Sequence, residues 1–184
     1  MTDDLANLRA RIARLESERA AISTFNEYLY NMDVGYTDAI LDVFTEDALL
    51  EVINFPPGSM NDLQFHGREE MRELYGPHSS AEPTLKGGHH SANIAVNVAE
   101  DCSKADLTAY FMTSGGSAGL GGGMYQGTLI PDGDKWRFSH YRIISNWGWS
   151  PKEADKRTES LPASKALRGG KPAVYEPSRQ APVS

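Results

Sequence analysis

The chain has 184 residues, of which 40% are hydrophobic and 23% charged, and its formal net charge is −7. That is enough for one domain with a sizeable core, and the acidity, without a basic stripe interleaved with aromatics, excludes a nucleic-acid surface. No apolar run reaches the ~20 residues of a membrane span, and a lone Cys102 leaves no disulfide framework and no cysteine-based metal site.

The first residues, Met1-Thr2-Asp3-Asp4-Leu5, lack the basic-then-apolar layout of a secretory signal, so a cytoplasmic protein is expected. Asp3 or Asp4 can cap a helix whose apolar residues Leu5, Leu8, Ile12, Leu15, Ile22, Phe25 and Leu29 fall at helical spacing and read as one face. Arg9, Arg11, Arg14, Glu16, Glu18 and Arg19 supply the solvated side. The first half is charged enough either to pack on a neighbouring subunit or to lie loosely on its own domain. The helix is expected to run to about Asn31 and to end before Gly35. Asp33 follows Leu29 by four residues and so continues the apolar stripe, at a helix C-terminus where the macrodipole opposes negative charge. It reads either as a base held in a pocket or as a cap for the turn at Gly35 and Thr37.

Thr37 is expected to cap a short helix from Asp38 to Phe44, followed by a strand from Ala48 to Ile53. Prolines and small polar residues make Asn54 to Asp62 a loop; Phe65-His66-Gly67 leads into a helix from Arg68 to Leu74; a second loop runs from Gly76 to Gly88. The stretch from Lys86 to Val98 then reads as a strand. Simple alternation puts His90, Ala92, Ile94, Val96 and Val98 on one face and His89, Ser91, Asn93, Ala95 and Asn97 on the other. At most one of the two histidines can serve a given pocket, and alternation alone favours His90, beside the apolar residues. The plainer reading has one histidine exposed and the other hydrogen-bonded in the core.

Ala105 to Thr113 is a further strand with Leu107, Ala109 and Phe111 on one face. The run Gly115 to Gly123 has strands on both sides and so lacks the setting of a phosphate-binding loop; it reads as a flexible hairpin connection or lid. Met124 to Ile130 and Lys135 to Trp147 are strands joined by the turn Pro131-Asp132-Gly133-Asp134, the last with Trp136, Phe138, His140, Arg142 and Ile144 on a common face. From Ser150 onward Lys, Glu, Ser, Pro and Gly dominate, which divides the chain into a domain over 1–150 and a polar tail over 151–184. His89 and His90 are adjacent, and His66, His78 and His140 have no ligand-like spacing, so no metal is expected.

Helices gathered before one antiparallel sheet make an α+β fold. With Tyr30-Asn31-Met32-Asp33, Asp42 to Ala48, Phe65-His66-Gly67, His89 to Asn93 and Trp136-Arg137-Phe138 with Arg142, this order resembles the SnoaL-like branch of the nuclear transport factor 2-like superfamily over about residues 8 to 148. The resemblance implies a curved, mostly antiparallel sheet wrapped against its helices as a cone with a ligand cavity. It also implies a homo-oligomer, a trimer, for which exposed Trp147 and Trp149 give a separate motive. In the scytalone dehydratases and hexachlorocyclohexane dehydrochlorinases of that branch, an aspartate at the end of the first helix pairs with a histidine four residues before the strand asparagine. Those positions here are Asp33 and His89, which selects His89 over His90. The dehydrochlorinase lysine is replaced by Tyr28, which favours phenol-assisted chemistry on an oxygenated substrate.

Such a pair can run an elimination without metal or organic cofactor. The imidazole takes a proton, and the carboxylate fixes its tautomer and stabilises the cation that forms. Tyr28, Tyr30 and Arg142 are candidate catalytic groups beside Asp33 and His89, as donors or as stabilisers of developing negative charge; Asn93 is a further candidate donor. Asn93, His90, Phe25, Phe65, Met112, Met124, Trp136 and Phe138 are candidate residues of an apolar substrate pocket. The expected function is a cofactor-independent lyase, a dehydratase or deformylating carbon–carbon lyase, acting on an aromatic, lignin-derived or polyketide-like alcohol. The alternative is a non-catalytic small subunit of a ring-hydroxylating oxygenase or a ligand-binding module, and a third option is an isomerase or epoxide hydrolase.

Overall fold

The computed structural model describes residues 2–53, 62–78, 88–114 and 120–149. In chain order these form α1 (Thr2–Val34), α2 (Thr37–Asp42), β1 (Phe44–Ile53), β2 (Leu63–His66), α3 (Gly67–Tyr75), β3 (Gly88–Val98), β4 (Ala105–Ser114), β5 (Leu120–Asp132) and β6 (Lys135–Trp149). The expected loop over 54–61, residues 79–87 of the next connection, residues 115–119 of the glycine run, the side chain of Trp149 and the tail over 151–184 lie outside the described residues.

The architecture is the expected α+β one, with a six-stranded mixed sheet in the order β2-β1-β6-β5-β4-β3. Neighbours pair antiparallel except β1 and β6, which run parallel. Thr37 does not cap α2 with its side chain; its hydroxyl donates instead to the Tyr75 carbonyl at 3.2 Å, tying α2 to α3. The glycine run is not wholly a connection either, since Gly121 to Gly123 are already strand β5. Gly123 is dictated by close approach: a Cβ there would stand 1.8 Å from the Ile144 carbonyl oxygen of β6, where the β5–β6 register shifts.

One face of the sheet meets α1, and the space between is filled with rings. Phe25 and Tyr28 of α1 meet Tyr125 and Tyr141 edge-on, with centroids 5.7 Å and 5.0 Å apart, and Phe111 stacks on Tyr125 at 4.3 Å. Phe44, Tyr75, Phe138 and Met71 close the cluster, all 1% exposed or less. Burying a side chain of this size stabilises the fold by ~2 kcal/mol. The Thr24 hydroxyl donates to the Trp136 carbonyl at 2.6 Å and fixes α1 along β6.

Two expectations about facing are overturned. The apolar residues of α1 do not form one face: Ser17, Ala21, Thr24, Phe25 and Tyr28 are buried, whereas Leu5, Leu8, Ile12 and Leu15 are exposed. At about 100° per residue the exposed four point roughly opposite to the buried set. In the sheet, register shifts between Ala92 and Ala95 of β3 and between Thr128 and Leu129 of β5 against β6 reverse the alternation. Each bulge inserts one unpaired residue, and one residue flips every side chain beyond it. Asn93 carries the first, at φ 52°, a left-handed conformation that asparagine tolerates. His89 therefore shares the α1 face with Val96 and Val98, opposite Thr113, Leu107 and Ala105. Beyond Phe138 the second bulge turns Tyr141 to the core and His140 and Arg142 away from it.

Candidate active site

The last turn of α1 delivers Asp33 to the start of β3. His89 Nδ1 lies 2.5 Å from Asp33 Oδ1, and the His89 backbone N–H donates to both carboxylate oxygens at 3.1 and 3.2 Å. The two side chains are 16% and 21% exposed, so the pair sits at the edge of the core with access to solvent. Against a carboxylate Nδ1 acts as the donor, and in the neutral imidazole Nε2 then carries the lone pair. The arrangement is a fixed imidazole, with its tautomer set from behind, whose free nitrogen can accept a proton.

The tyrosines of the core are perturbed by burial and by one another. Burial, then Tyr28, then the Asp33 charge hold the Tyr125 hydroxyl well above the ordinary tyrosine range, which places Tyr125 within the field of Asp33. The Tyr28 hydroxyl is raised likewise by burial and by Tyr75, whose hydroxyl it meets at 3.3 Å. Tyr141 is raised by burial and by its tyrosine neighbours, and its hydroxyl has no hydrogen-bond partner among the described residues. These phenols are neutral donors at ordinary pH, not phenolates.

The other expected site residues disperse. Tyr28 is in the core, but Tyr30 is 65% exposed on α1. Arg142 lies on the sheet face away from α1, where its guanidinium donates to Glu51 at 2.7 and 2.9 Å alongside His140, so it is not in reach of the pair. His90 and Met112 are cross-strand partners on that same outer face, and Met124 pairs with Tyr110 there. Asn93 is exposed at its bulge. Phe25 and Phe138 are fully buried, and Phe65 and Trp136 pack on the core's margin. Sequence reasoning did not single out Tyr125, whose inward facing follows from its alternation with Gly127 and Leu129 within the expected strand from Met124 to Ile130. Among the described residues, no three of His, Cys, Asp and Glu converge as a metal site, and no helix is long and apolar enough to cross a membrane.

Residues 13–142 match the family described as the SnoaL-like domain. The chain belongs to the SnoaL-like family. Solved structures agree on the fold of this SnoaL-like chain. An NTF2-like protein with a cystatin-like fold from Novosphingobium aromaticivorans superposes with a TM-score of 0.61 at 19% identity, over 84% of this chain and 97% of that one. A candidate scytalone dehydratase from the same species gives 0.61 at 19% identity, covering 76% and 91%. The hexachlorocyclohexane dehydrochlorinase LinA-type3 from Novosphingobium barchaimii gives 0.61 at 15%, covering 76% and 93%. No curated protein sequence matches the SnoaL-like chain.

Proposed function

We propose that this SnoaL-like protein is a cofactor-free lyase that dehydrates an aromatic, lignin-derived or polyketide-like alcohol. The observation that carries the reading is the 2.5 Å contact between His89 Nδ1 and Asp33. An acid–base pair held this way has little use in a purely structural subunit. In the reaction, the C–H proton next to the carbinol carbon passes to His89 Nε2, the electron pair forms the C=C bond, and the C–O bond breaks. The departing hydroxyl takes that proton back from the imidazolium and leaves as water, while Asp33 stabilises the cation between the two transfers. The dehydratase and dehydrochlorinase names among the structural neighbours fit an elimination.

The test is a screen of the purified protein, without added cofactor, against alcohol-bearing diaryl and polyketide-like compounds, followed by His89→Ala on any substrate found. Formation of a conjugated alkene that His89→Ala abolishes is the expected result. Turnover that survives His89→Ala removes the pair from the reaction.

A further inference from the structure

The first half of α1 carries a surface that neither the core nor the proposed chemistry uses. Leu5, Leu8, Ile12 and Leu15 are 54%, 52%, 45% and 64% exposed, and the family match begins only at residue 13. Their spacing of three, four and three is the a/d seam of a coiled coil rather than the broader stripe of a core-facing helix. With Leu5 and Ile12 at a and Leu8 and Leu15 at d, positions e are Arg9 and Glu16 and positions g are Asp4, Arg11 and Glu18.

The charges choose the partner and its direction. In a parallel pair of identical helices, g of one copy faces e of the next heptad in the other, which sets Arg11 against Glu16 and Asp4 against Arg9, opposite signs in both cases. In an antiparallel pair with Leu8 facing Ile12, Arg11 meets Arg11 and Arg9 meets Arg9, like against like. Ile12 at a with leucines at d favours two strands, and Arg19 at the next a position ends the seam where α1 begins to bury its other face at Ser17. Because the core already anchors the C-terminal half of α1, the seam needs no separate helix nucleation.

We infer that residues 4–18 of α1 join two copies of this chain as a short parallel coiled coil, at the opposite end of α1 from Asp33. Sedimentation equilibrium of the full-length protein tests it. Leu8→Asp with Leu15→Asp should halve the assembly mass, while the circular-dichroism melt of the domain stays in place. Arg11→Glu and Glu16→Arg should each weaken self-association about tenfold, since two flanking pairs turn repulsive, and the double variant Arg11→Glu/Glu16→Arg should restore it. Leu8→Cys, in a Cys102→Ser background, should form an interchain disulfide on oxidation, because d faces d only in the parallel arrangement. An unchanged mass in the aspartate variant, a threefold drop, or failure of the double charge swap to rescue would each overturn the inference. So would an oligomer in which the Leu8→Cys variant fails to cross-link, or a stripe covered instead by residues 151–184 of the same monomeric chain.

Discussion

His89 and Asp33, 56 residues apart in sequence, are joined through three contacts: the imidazole Nδ1 to Oδ1, and the backbone N–H to each carboxylate oxygen. The ring is thus held by the same group that holds its backbone, and removing the carboxylate releases both. On a responsive substrate, His89→Ala and Asp33→Asn should each lower kcat by ~10²-fold or more, and the double variant should lose little beyond the worse single one. Steady-state kinetics of the four proteins checks this. Additive losses would mean that the two groups act separately.

The facing of His89 depends on the extra residue at Asn93. Asn93→Gly should leave both stability and activity close to normal, because glycine enters the left-handed region freely. Asn93→Val should destabilise the protein by ~1–2 kcal/mol, since a β-branched residue resists that conformation. Deletion of Asn93 should remove the bulge and cost more than either, because either His89 or the Val96–Val98 segment must then turn outward. Urea denaturation of the three variants gives the ranking.

On the outer face, burial opposes ionisation of Glu51, but hydrogen bonds from His140 and Arg142 and their charges outweigh it and bring its carboxyl below the ordinary value of 4.5. A carboxyl with a lower folded than unfolded value stabilises the fold above its unfolded value, and loses that contribution as pH falls through the folded one. Wild type should therefore melt above Glu51→Gln at neutral pH, and the difference should shrink once the pH drops below about 4.5. A gap that persists unchanged in acid would assign the effect to shape rather than charge.

Gly123→Ala should be among the most damaging single-methyl changes in the sheet. The added carbon would fall 1.8 Å from the Ile144 carbonyl oxygen, backbone that cannot step aside without breaking the β5–β6 ladder. A loss of ~3 kcal/mol or more is expected. By contrast, Gly76→Ala meets nothing within 4 Å and should change stability little. Thermal melts of the two variants make the comparison.

The elements were legible because their signals are local: the β-turn at Gly133, the alternating strands, the long helix ending near Gly35. Asp33 also stood out by its place at the end of that helix. Facing was another matter. His140, Arg142 and Ile144 read as partners of Phe138 under strict alternation, yet the bulge behind Phe138 turns them to the opposite side. The same parity problem favoured His90 until the family resemblance selected His89. A bulge is one residue with little compositional mark, so the identity of the inward set is decided by sheet register, which a single strand does not encode. The two stripes of α1 merged for a related reason: apolar residues at helical spacing announce a buried face but not which body buries it.

β3 is the last strand of the sheet, with β4 on one side and no further strand on the other among the described residues. The peptide N–H of His89 turns to Asp33 rather than to β4. An open strand edge invites pairing with foreign chains through just such donors. The carboxylate that orients the imidazole thereby also occupies the edge at its solvent-accessible end, so the residue proposed to serve reactivity also covers an open donor of the edge strand. A substitution that empties position 33 would expose a sticky border along with a misplaced ring, and loss of activity in such a variant would have to be separated from loss of soluble protein.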